Sequence, residues 1–320
     1  MTENRAHCMF AERGPEMSIE RVAIIGKGAV GLLYGSLIAQ NVGEDAVEYV
    51  MDDERFARHR DDSVTINGSP CTMRTVPASA AQPADLVILA IKATGMEGAL
   101  KTMRSCAGPR TRIISLLNGI TSEELIAQRF GWERTVLSVA QGMDAVYIDG
   151  ALTYTHPGEI RLGPASATAA GVVDEVAAFF ARAGIAHVVE DDIRRRMWVK
   201  LMLNVGVNQT CMVYGGTYGS VSAPGEQNRC FVAAMREVIA VARAEGVELT
   251  EADLSQMADL MASIDPAGVP SMAQDRINRK ASEVELFSGT IIRLAERHGI
   301  LVPQNRYLYE RVAQIEAEYA

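Results

Sequence analysis

A glycine-rich turn between a strand and a helix is the feature that most constrains this chain. The residues GKGAVG at 26–31 directly follow the apolar run RVAII, which is typical of a buried strand, and they open a helical pattern. Gly26 permits the tight turn, Gly28 lets the backbone approach a pyrophosphate, and Gly31 lets the helix pack close to the strand. Glycines also mark ordinary turns, but in this setting they predict a dinucleotide site with phosphates at the helix N-terminus. The predicted contacts come from Gly26, Lys27, Gly28, Ala29, Val30 and Gly31.

The rest of the chain predicts an α/β fold followed by an all-helical region. Between residues 21 and 190, apolar runs alternate with helical patterns, which is typical of a doubly wound parallel sheet with right-handed crossovers. Strand and hairpin patterns at 135–163 are expected to close this sheet, and almost everything after residue 192 has helical periodicity. We therefore expect a loose N-terminal extension at 1–20, a Rossmann-type dinucleotide-binding domain at 21–190 and a helical substrate and catalytic domain at 191–320.

Charge and composition narrow the classes of partner. Lys and Arg number 31 against 40 Asp and Glu, and the net charge of −9 argues against nucleic acid or an anionic membrane surface as the main partner. No apolar run reaches the ~18 residues that a membrane span needs, and the first 20 residues lack the apolar segment of a signal peptide. The cysteines form no C-x-x-C pair and the histidines have no ligand spacing. We therefore expect no metal site and a reducing, cytoplasmic location.

The residues after the second predicted strand bear on the choice of cofactor. Asp52 or Asp53 is the acidic residue expected to bind the ribose hydroxyls, since Asp52 follows Gly31 by 21 positions, close to the expected spacing of about 20. A carboxylate there repels a 2′-phosphate and favours NAD over NADP. Arg55 and Arg58, just beyond, offer that phosphate a partner instead. A third interpretation is that Asp52 and Asp53 only cap the next helix.

An otherwise apolar helix carries a polar stripe. In the segment RRMWVKLMLNVGVNQTCMV, Lys200, Asn204 and Asn208 stand at i, i+4 and i+8 and fall within about 80° of one another. Polar groups among so many apolar residues are costly to bury unless they have partners. One interpretation makes Lys200 a surface residue and the asparagines helix–helix links. The other makes Lys200 a proton donor beside a ligand, because the pKa of lysine falls readily on burial.

Two further segments have alternative interpretations. Asn118-Gly119 follows the strand RIISLL and would lie at the carboxyl edge of the sheet, where such folds bind ligands, or would form a plain turn. In the second segment, Ser282 and Glu285 fit a capping box at the start of a helix. The negative charge of Glu283 would then interact favourably with the dipole of that helix.

Taken in chain order, these motifs resemble those of the ketopantoate reductase (2-dehydropantoate 2-reductase) family. The resemblance runs from residue 21 to about 312, and its most specific part is the Lys-x-x-x-Asn-x-x-x-Asn helix with SMAQD and the Glu that follows. The matching stretches are GKGAVG (26–31), AIKA (90–93), LNG (117–119), HPGEIRLGP (156–164), WVKLMLNVGVN (198–208), SMAQD (271–275), SEVELFSG (282–289) and HGILVPQN (298–305).

The resemblance implies reduction of 2-dehydropantoate to pantoate by hydride transfer from a nicotinamide cofactor, on the route to pantothenate and coenzyme A. It implies that Lys200 is the general acid and that Glu283, rather than capping a helix, holds the substrate hydroxyl and orients Lys200. By the same resemblance, Asn204 and Asn208 fix the substrate, Ser271 binds its carboxylate, Asn118 lies against substrate and cofactor, and Lys92 lines the cofactor side.

Several alternatives stay open. Family members often hold the 2′-phosphate of NADP with an Arg where this chain has Asp52, so the family implies NADP(H), with Arg55 as a substitute, and Asp52 favours NAD(H). A dehydrogenase of a different small 2-oxo or hydroxy acid, with a pocket reshaped by residues 212–222, is the enzymatic alternative. A non-catalytic NAD(P)-binding regulator is the alternative of another class, which the presence of Lys200 and Glu283 disfavours. The expected partner is a small 2-oxo acid, and a homodimer is one option for the assembly.

Overall fold

The computed structural model describes residues 18–319, so most of the extension expected at 1–20 lies outside the described residues. The strands are β1 (Val22–Ile25), β2 (Val47–Met51), β3 (Val64–Ile66), β4 (Ser69–Cys71), β5 (Thr75–Pro77), β6 (Ala84–Leu89), β7 (Ala107–Ser115), β8 (Thr135–Met143), β9 (Val146–Ile148), β10 (Ala151–Thr153), β11 (Pro157–Pro164) and β12 (His187–Val189). The α-helices are α1 (Ala29–Asn41), α2 (Asp53–His59), α3 (Met96–Met103), α4 (Ser122–Phe130), α5 (Val172–Arg182), α6 (Ile193–Tyr214), α7 (Tyr218–Ser222), α8 (Glu226–Ala244), α9 (Glu251–Ser263), α10 (Ser271–Ile277), α11 (Ser288–His298) and α12 (Pro303–Ala317).

An eight-stranded sheet organises the first part of the chain, in the order β12-β11-β8-β7-β6-β1-β2-β5. Its strands from β5 to β8 are parallel, and β11 pairs antiparallel with β8. Apolar side chains alternate between its faces: Ile24 and Ile88 join one buried cluster, and Ala23 and Val87 join another. Helices α1 and α5 cover the first face and α3 and α4 the second, since their apolar residues belong to those clusters. The predicted doubly wound, Rossmann-type sheet followed by helices is confirmed.

The region at 135–163 extends the large sheet only in part: β8 and β11 join it as predicted, and the hairpin between them does not. Strands β9 and β10 leave it and join β3 and β4 in a separate four-stranded sheet, in the order β4-β3-β10-β9. The link is a parallel pairing of β10 with β3, in which Ala151 lies opposite Thr65. Only β8 and β11 from this region stay in the large sheet, where seven registered pairs join them. The second sheet depends on a partner strand far away in sequence, and no local pattern indicates it.

The second part of the chain is helical around a central α6. One large apolar cluster draws on α6, α8, α11 and α12, with Phe231 and Phe287 fully buried. The first turns of α6 also pack on the large sheet, because Ile193 and Met197 contact Leu137 and Val139 of β8. The polar residues of α6 are thereby placed near the carboxyl ends of the parallel strands. Among the described helices, none is long and apolar enough to cross a membrane.

Candidate active site

The glycine-rich turn has the geometry that its sequence predicts. Gly26 has a φ of +114°, and a Cβ on it would lie 2.2 Å from the carbonyl oxygen of Ala90. A Cβ on Gly31 would lie 2.0 Å from the carbonyl oxygen of Gly26, so helix α1 packs against the turn itself. A Cβ on Gly28, by contrast, would meet no atom within 4 Å. The turn is therefore closed on its protein side and open at Gly28.

The N-terminus of α1 can accept an anion. Gly28 is its N-cap and no side chain in residues 18–319 caps it, so the first backbone N–H groups are available to a ligand. The half-buried Lys27 lies in the same turn, and burial lowers the pKa of its ammonium while the charge of Asp62 opposes that change. An open backbone cradle with free donors and a nearby cation fits the pyrophosphate of a dinucleotide.

The acidic pair after β2 makes contacts within the protein. Asp52 is the N-cap of α2, and its Oδ1 accepts a hydrogen bond from the backbone N–H of Arg55 at 2.8 Å. The capping interpretation is thus correct for Asp52 and wrong for Asp53. The Oδ1 of Asp53 accepts from the backbone N–H and the Oγ of Ser79, at 3.0 and 2.9 Å. Asp52 and the side chain of Arg55 are both exposed at this edge, where a ribose would lie.

Lys200 is held between the sheet and the helices. Its Nζ donates to Asn118 Oδ1 at 3.0 Å and to the carbonyl oxygen of Ala140 at 2.6 Å. The other end of the Asn118 amide, Nδ2, donates to Glu283 Oε2 at 3.0 Å. One amide therefore joins an ammonium on α6 to a carboxylate just before α11. Sequence positions 118, 200 and 283 meet at a single point.

Burial governs the charge state of Lys200. It lowers the pKa of the ammonium to about 8, because a charged group loses its hydration there. The negative charge of Glu283 opposes this effect, Arg196 one helical turn earlier adds to it, and Glu123 opposes it. A pKa of about 8 lets Lys200 hold and release a proton near neutral pH.

The rest of the polar stripe forms a hydrogen-bonded chain with the SMAQD segment. Asn208 Oδ1 accepts from Ser271 Oγ at 2.9 Å and from the backbone N–H of Met272 at 3.2 Å. Asn208 Nδ2 is 3.4 Å from Asn204 Oδ1. On α6, Asn204 and Asn208 thus lie one and two turns beyond Lys200. Ser271, the first residue of α10, lies beside Asn208.

Lys92 lies on the sheet side of this cleft. Its Nζ is 2.9 Å from Asp275 Oδ1, the last residue of SMAQD. The pair connects the segment after β6 to α10 and places an ammonium between the glycine-rich turn and the helical residues. Lys92 remains more than half exposed, so this ammonium is accessible to a ligand.

The capping box at Ser282 does not form. The chain makes a short 3-10 turn at Val284–Leu286 instead, and α11 begins only at Ser288. Glu285 turns to Arg293 and Tyr309, and both donate to its carboxylate. Glu283 is left facing Asn118. The capping-box pattern predicts the helix start five residues too early, because apolar residues continue through the turn.

Four participants carry no signal in the sequence. Ala140 contributes a backbone carbonyl, which every residue has. Asp275 belongs to the SMAQD motif, but nothing in that motif marks it as the partner of Lys92. Glu123 and Arg196 look like ordinary charged residues of helices, and only the fold places them near Lys200. Within residues 18–319, no three His, Cys, Asp or Glu side chains are grouped to hold a metal ion.

The model of the family described as "Ketopantoate reductase PanE/ApbA" matches residues 22–167. The model of its C-terminal part, "Ketopantoate reductase PanE/ApbA C terminal", matches residues 192–316. The chain belongs to the ketopantoate reductase family. A 2-dehydropantoate 2-reductase of Halobacterium salinarum is 28% identical over 302 residues, which cover 91% of this chain and 97% of that relative.

Solved structures agree with this membership. A PanE/ApbA family ketopantoate reductase from Ralstonia eutropha JMP134 superposes with a TM-score of 0.81 at 28% identity, covering 93% of this chain and 99% of the other. A ternary structure of D-mandelate dehydrogenase with NADH and anilino(oxo)acetate superposes with a TM-score of 0.82 over the same shares, at 22% identity. The latter shares the fold with this protein.

Proposed function

We propose that this ketopantoate reductase family member reduces 2-dehydropantoate to pantoate at the cleft between the glycine-rich turn and α6. The observation that carries the proposal is the position of Lys200 Nζ, 3.0 Å from an Asn118 amide whose far end binds Glu283. The 2-dehydropantoate 2-reductase relatives that match almost the full chain support the choice of substrate. Its product would serve pantothenate and coenzyme A synthesis.

The chemistry asked of the protein is proton donation and charge stabilisation. Reduction adds a hydride to C2 of the 2-oxo acid and a proton to the C2 oxygen, and a bound nicotinamide cofactor supplies the hydride. Lys200 has three N–H donors, of which Asn118 and Ala140 accept two. The third is left for the substrate oxygen. As negative charge grows on that oxygen, the ammonium stabilises it and then transfers the proton.

The neighbouring residues would hold the substrate. Glu283, fixed by Asn118, offers a carboxylate to the substrate hydroxyl beside Lys200. Asn204, Asn208 and Ser271 present amide and hydroxyl groups farther along α6, where the substrate carboxylate would bind. Lys92 would complete the site from the sheet side. An anionic substrate is compatible with these groups, since ammonium, amide and hydroxyl donors line the cleft and the carboxylate of Asp275 is already paired with Lys92.

We propose NADP(H) as the cofactor, with NAD(H) as the alternative that Asp52 favours. Two cations support NADP(H): Lys27 in the turn and the exposed Arg55 after β2. One oxygen of Asp52 is engaged in capping α2, which reduces its capacity to bind ribose hydroxyls. Its charge remains at the edge, so the preference rests on the balance between Asp52 and the two cations.

A steady-state assay tests the proposal directly. Purified protein is mixed with ketopantoate and either NADPH or NADH, and nicotinamide fluorescence is followed. Turnover with ketopantoate supports the activity, and the ratio of the two kcat/KM values decides the cofactor. If the protein binds nucleotide but does not turn over ketopantoate, and reduces another branched or aromatic 2-oxo acid, that acid is the substrate instead. Binding without turnover on any such acid would favour a non-catalytic regulator.

A further inference from the structure

A second carboxyl group lies buried close to Lys200. Glu123 stands in the first turn of α4, only five positions after Asn118, and its relative exposure is 2%. The next residue, Glu124, is exposed. Acidic residues in the first turn of a helix normally face water, where they favour the helix dipole. Full burial of Glu123 has an energetic cost that its neighbour avoids.

Hydroxyl groups connect Glu123 to the strand end that carries Asn118. Ser122 Oγ donates to Glu123 Oε2 at 2.8 Å and is 2.7 Å from Ser115 Oγ. Ser115 Oγ also accepts from the backbone N–H of Leu117, the residue before Asn118, at 3.4 Å. The carboxyl group is therefore fixed beneath the turn that positions the Lys200 ammonium. The Ser122 hydroxyl donates to this carboxyl group without neutralising its charge, and Ser115 holds the Ser122 hydroxyl in place.

The charged groups around Lys200 explain why such a carboxylate is useful. Burial disfavours the ammonium, and Arg196 on the same helix disfavours it further. The groups that favour it are Glu283 across Asn118 and Glu123 beneath the turn. In the active site, Glu283 also has the substrate hydroxyl to bind. A second carboxylate, buried in the first turn of α4, supplies negative charge that substrate binding does not engage.

We propose that Glu123 is a positioning residue for the reduction: its buried carboxylate, anchored by Ser122 beneath the Asn118 turn, keeps the Lys200 ammonium protonated while the site is at work. This inference rests on the general-acid role proposed for Lys200. Glu123 touches neither substrate nor cofactor in this assignment. It acts through its charge.

The order in which the two groups titrate is consistent with this role. Burial raises the pKa of Glu123 to about 7, opposed by the Ser122 hydrogen bond and by the charge of Lys200, while the adjacent Glu124 raises it. The pKa of Lys200 is about 8. The pKa of Glu123 lies about a unit below that of Lys200, so most of the Glu123 carboxyl is ionised where Lys200 loses its proton. Its charge is therefore present in the pH range in which the ammonium needs it.

Lysine NMR tests the coupling without any turnover. The chain carries lysine only at Lys27, Lys92, Lys101, Lys200 and Lys280, so side-chain signals of lysine-labelled protein resolve, and Lys200→Arg assigns the signal of interest. The titration midpoint of Lys200 is measured in wild type, in Glu123→Gln and in Glu124→Gln, which removes an equal charge from an exposed position one residue later. We expect Glu123→Gln to move the midpoint to lower pH and Glu124→Gln to leave it near that of wild type. Equal midpoints in the two variants would overturn the proposal.

Steady-state kinetics provide a second test. In Glu123→Gln, we expect kcat/KM for ketopantoate to begin its alkaline fall at lower pH, while the KM for NADPH is unchanged. For each pH unit by which the fall is displaced, kcat/KM at a fixed alkaline pH is lowered about tenfold. A uniform loss of activity at every pH with an unmoved limb would indicate a structural role only. If Glu123→Gln does not fold, Ser122→Ala replaces it, because loss of that hydrogen bond raises the pKa of Glu123 and should also lower the Lys200 midpoint. Absence of ketopantoate turnover in wild type would refute the proposed substrate and leave the NMR result to decide the coupling.

Discussion

Lys92 Nζ and Asp275 Oδ1 lie 2.9 Å apart, so an ion pair joins the segment after β6 to helix α10 across the cleft. The lysine side chain is 56% exposed and that of Asp275 is 14% exposed, so water screens the ammonium and the pair contributes only modestly to stability. The exposed ammonium is the half of the pair that a ligand can reach.

Replacing Lys92 should accordingly affect binding more than stability. We expect Lys92→Met to raise the KM for nucleotide or 2-oxo acid by about tenfold or more, since a charge-assisted hydrogen bond is lost. The melting temperature should change little. Lys101→Met is the matched control, because it removes an exposed ion pair with Glu97 outside the cleft. A large drop in melting temperature with unchanged KM would mean that the pair is only structural.

Loss of the Lys200 ammonium should stop the chemistry and spare the nucleotide site. We expect Lys200→Ala to lower kcat by about a hundredfold or more, because no other group donates the proton. NADPH affinity, measured by nucleotide fluorescence, should stay within a few-fold of wild type, as Lys200 lies outside the glycine-rich turn. Near-normal turnover in this variant would remove Lys200 from the general-acid role.

The pH dependence should have opposite signs in the two directions of reaction. Reduction needs the protonated ammonium, whose pKa is about 8, so kcat/KM should be flat below that pH and fall about tenfold per unit above it. Oxidation of pantoate needs the neutral amine as base, so its kcat/KM should rise with pH and level off above about 8. Initial rates in both directions over a range of buffers check this. Parallel profiles would assign the proton transfer to another group.

Because Gly28 is open on its outer side, adding a methyl group there should affect nucleotide binding without affecting folding. A Cβ at Gly28 meets no protein atom within 4 Å, and we expect Gly28→Ala to fold with a near wild-type melting temperature but to bind nucleotide more weakly. Gly31→Ala places a methyl group 2.0 Å from a backbone oxygen and should destabilise the protein. Thermal unfolding and nucleotide titration of both variants test the contrast. Unchanged nucleotide affinity in Gly28→Ala would place the pyrophosphate elsewhere.

At Asp52 the charge can be removed while the helix cap is kept. Asp52→Ser retains an oxygen that can accept from the backbone N–H of Arg55, so its stability should resemble that of wild type, whereas Asp52→Ala should lose about 1 kcal/mol. With the carboxylate gone, we expect kcat/KM to shift toward NADPH relative to NADH in both variants. An unchanged ratio would show that Asp52 does not face the ribose.

Local demands made the glycine turn readable from the sequence. The strand–turn–helix unit itself requires glycine at these positions: Gly26 has a φ of +114°, Gly31 packs on Gly26, and Gly28 is open, as predicted. The predicted capping box does not form, although its pattern is equally local. Residues outside the pattern compete with it, because Arg293 and Tyr309 donate to the Glu285 carboxylate. These contacts outweigh the cap, and a short 3-10 turn takes its place.

Long-range pairing accounts for what the sequence did not indicate. The second sheet requires β10 to pair with β3, and no sequence pattern around residues 65 and 151 indicates this pairing. Burial of Glu123 is hidden in the same way, because its sequence context SEEL reads as an exposed helix start. The polar stripe of α6 was visible because three polar residues interrupt an apolar helix. For its partner Asn118, the local sequence offers two interpretations of an Asn-Gly pair, and only the family resemblance favours the site.

Asn118 has a consequence for how this site can vary among relatives. Its amide accepts from Lys200 at one end and donates to Glu283 at the other. Aspartate lacks the donor, and an aliphatic residue lacks both groups. Loss of the Asn118 amide therefore strands a polar group on both Lys200 and Glu283, and loss of either of those residues strands one end of the amide. We expect the three residues to be inherited as a set, retained together where the reduction is retained and lost together where it is not.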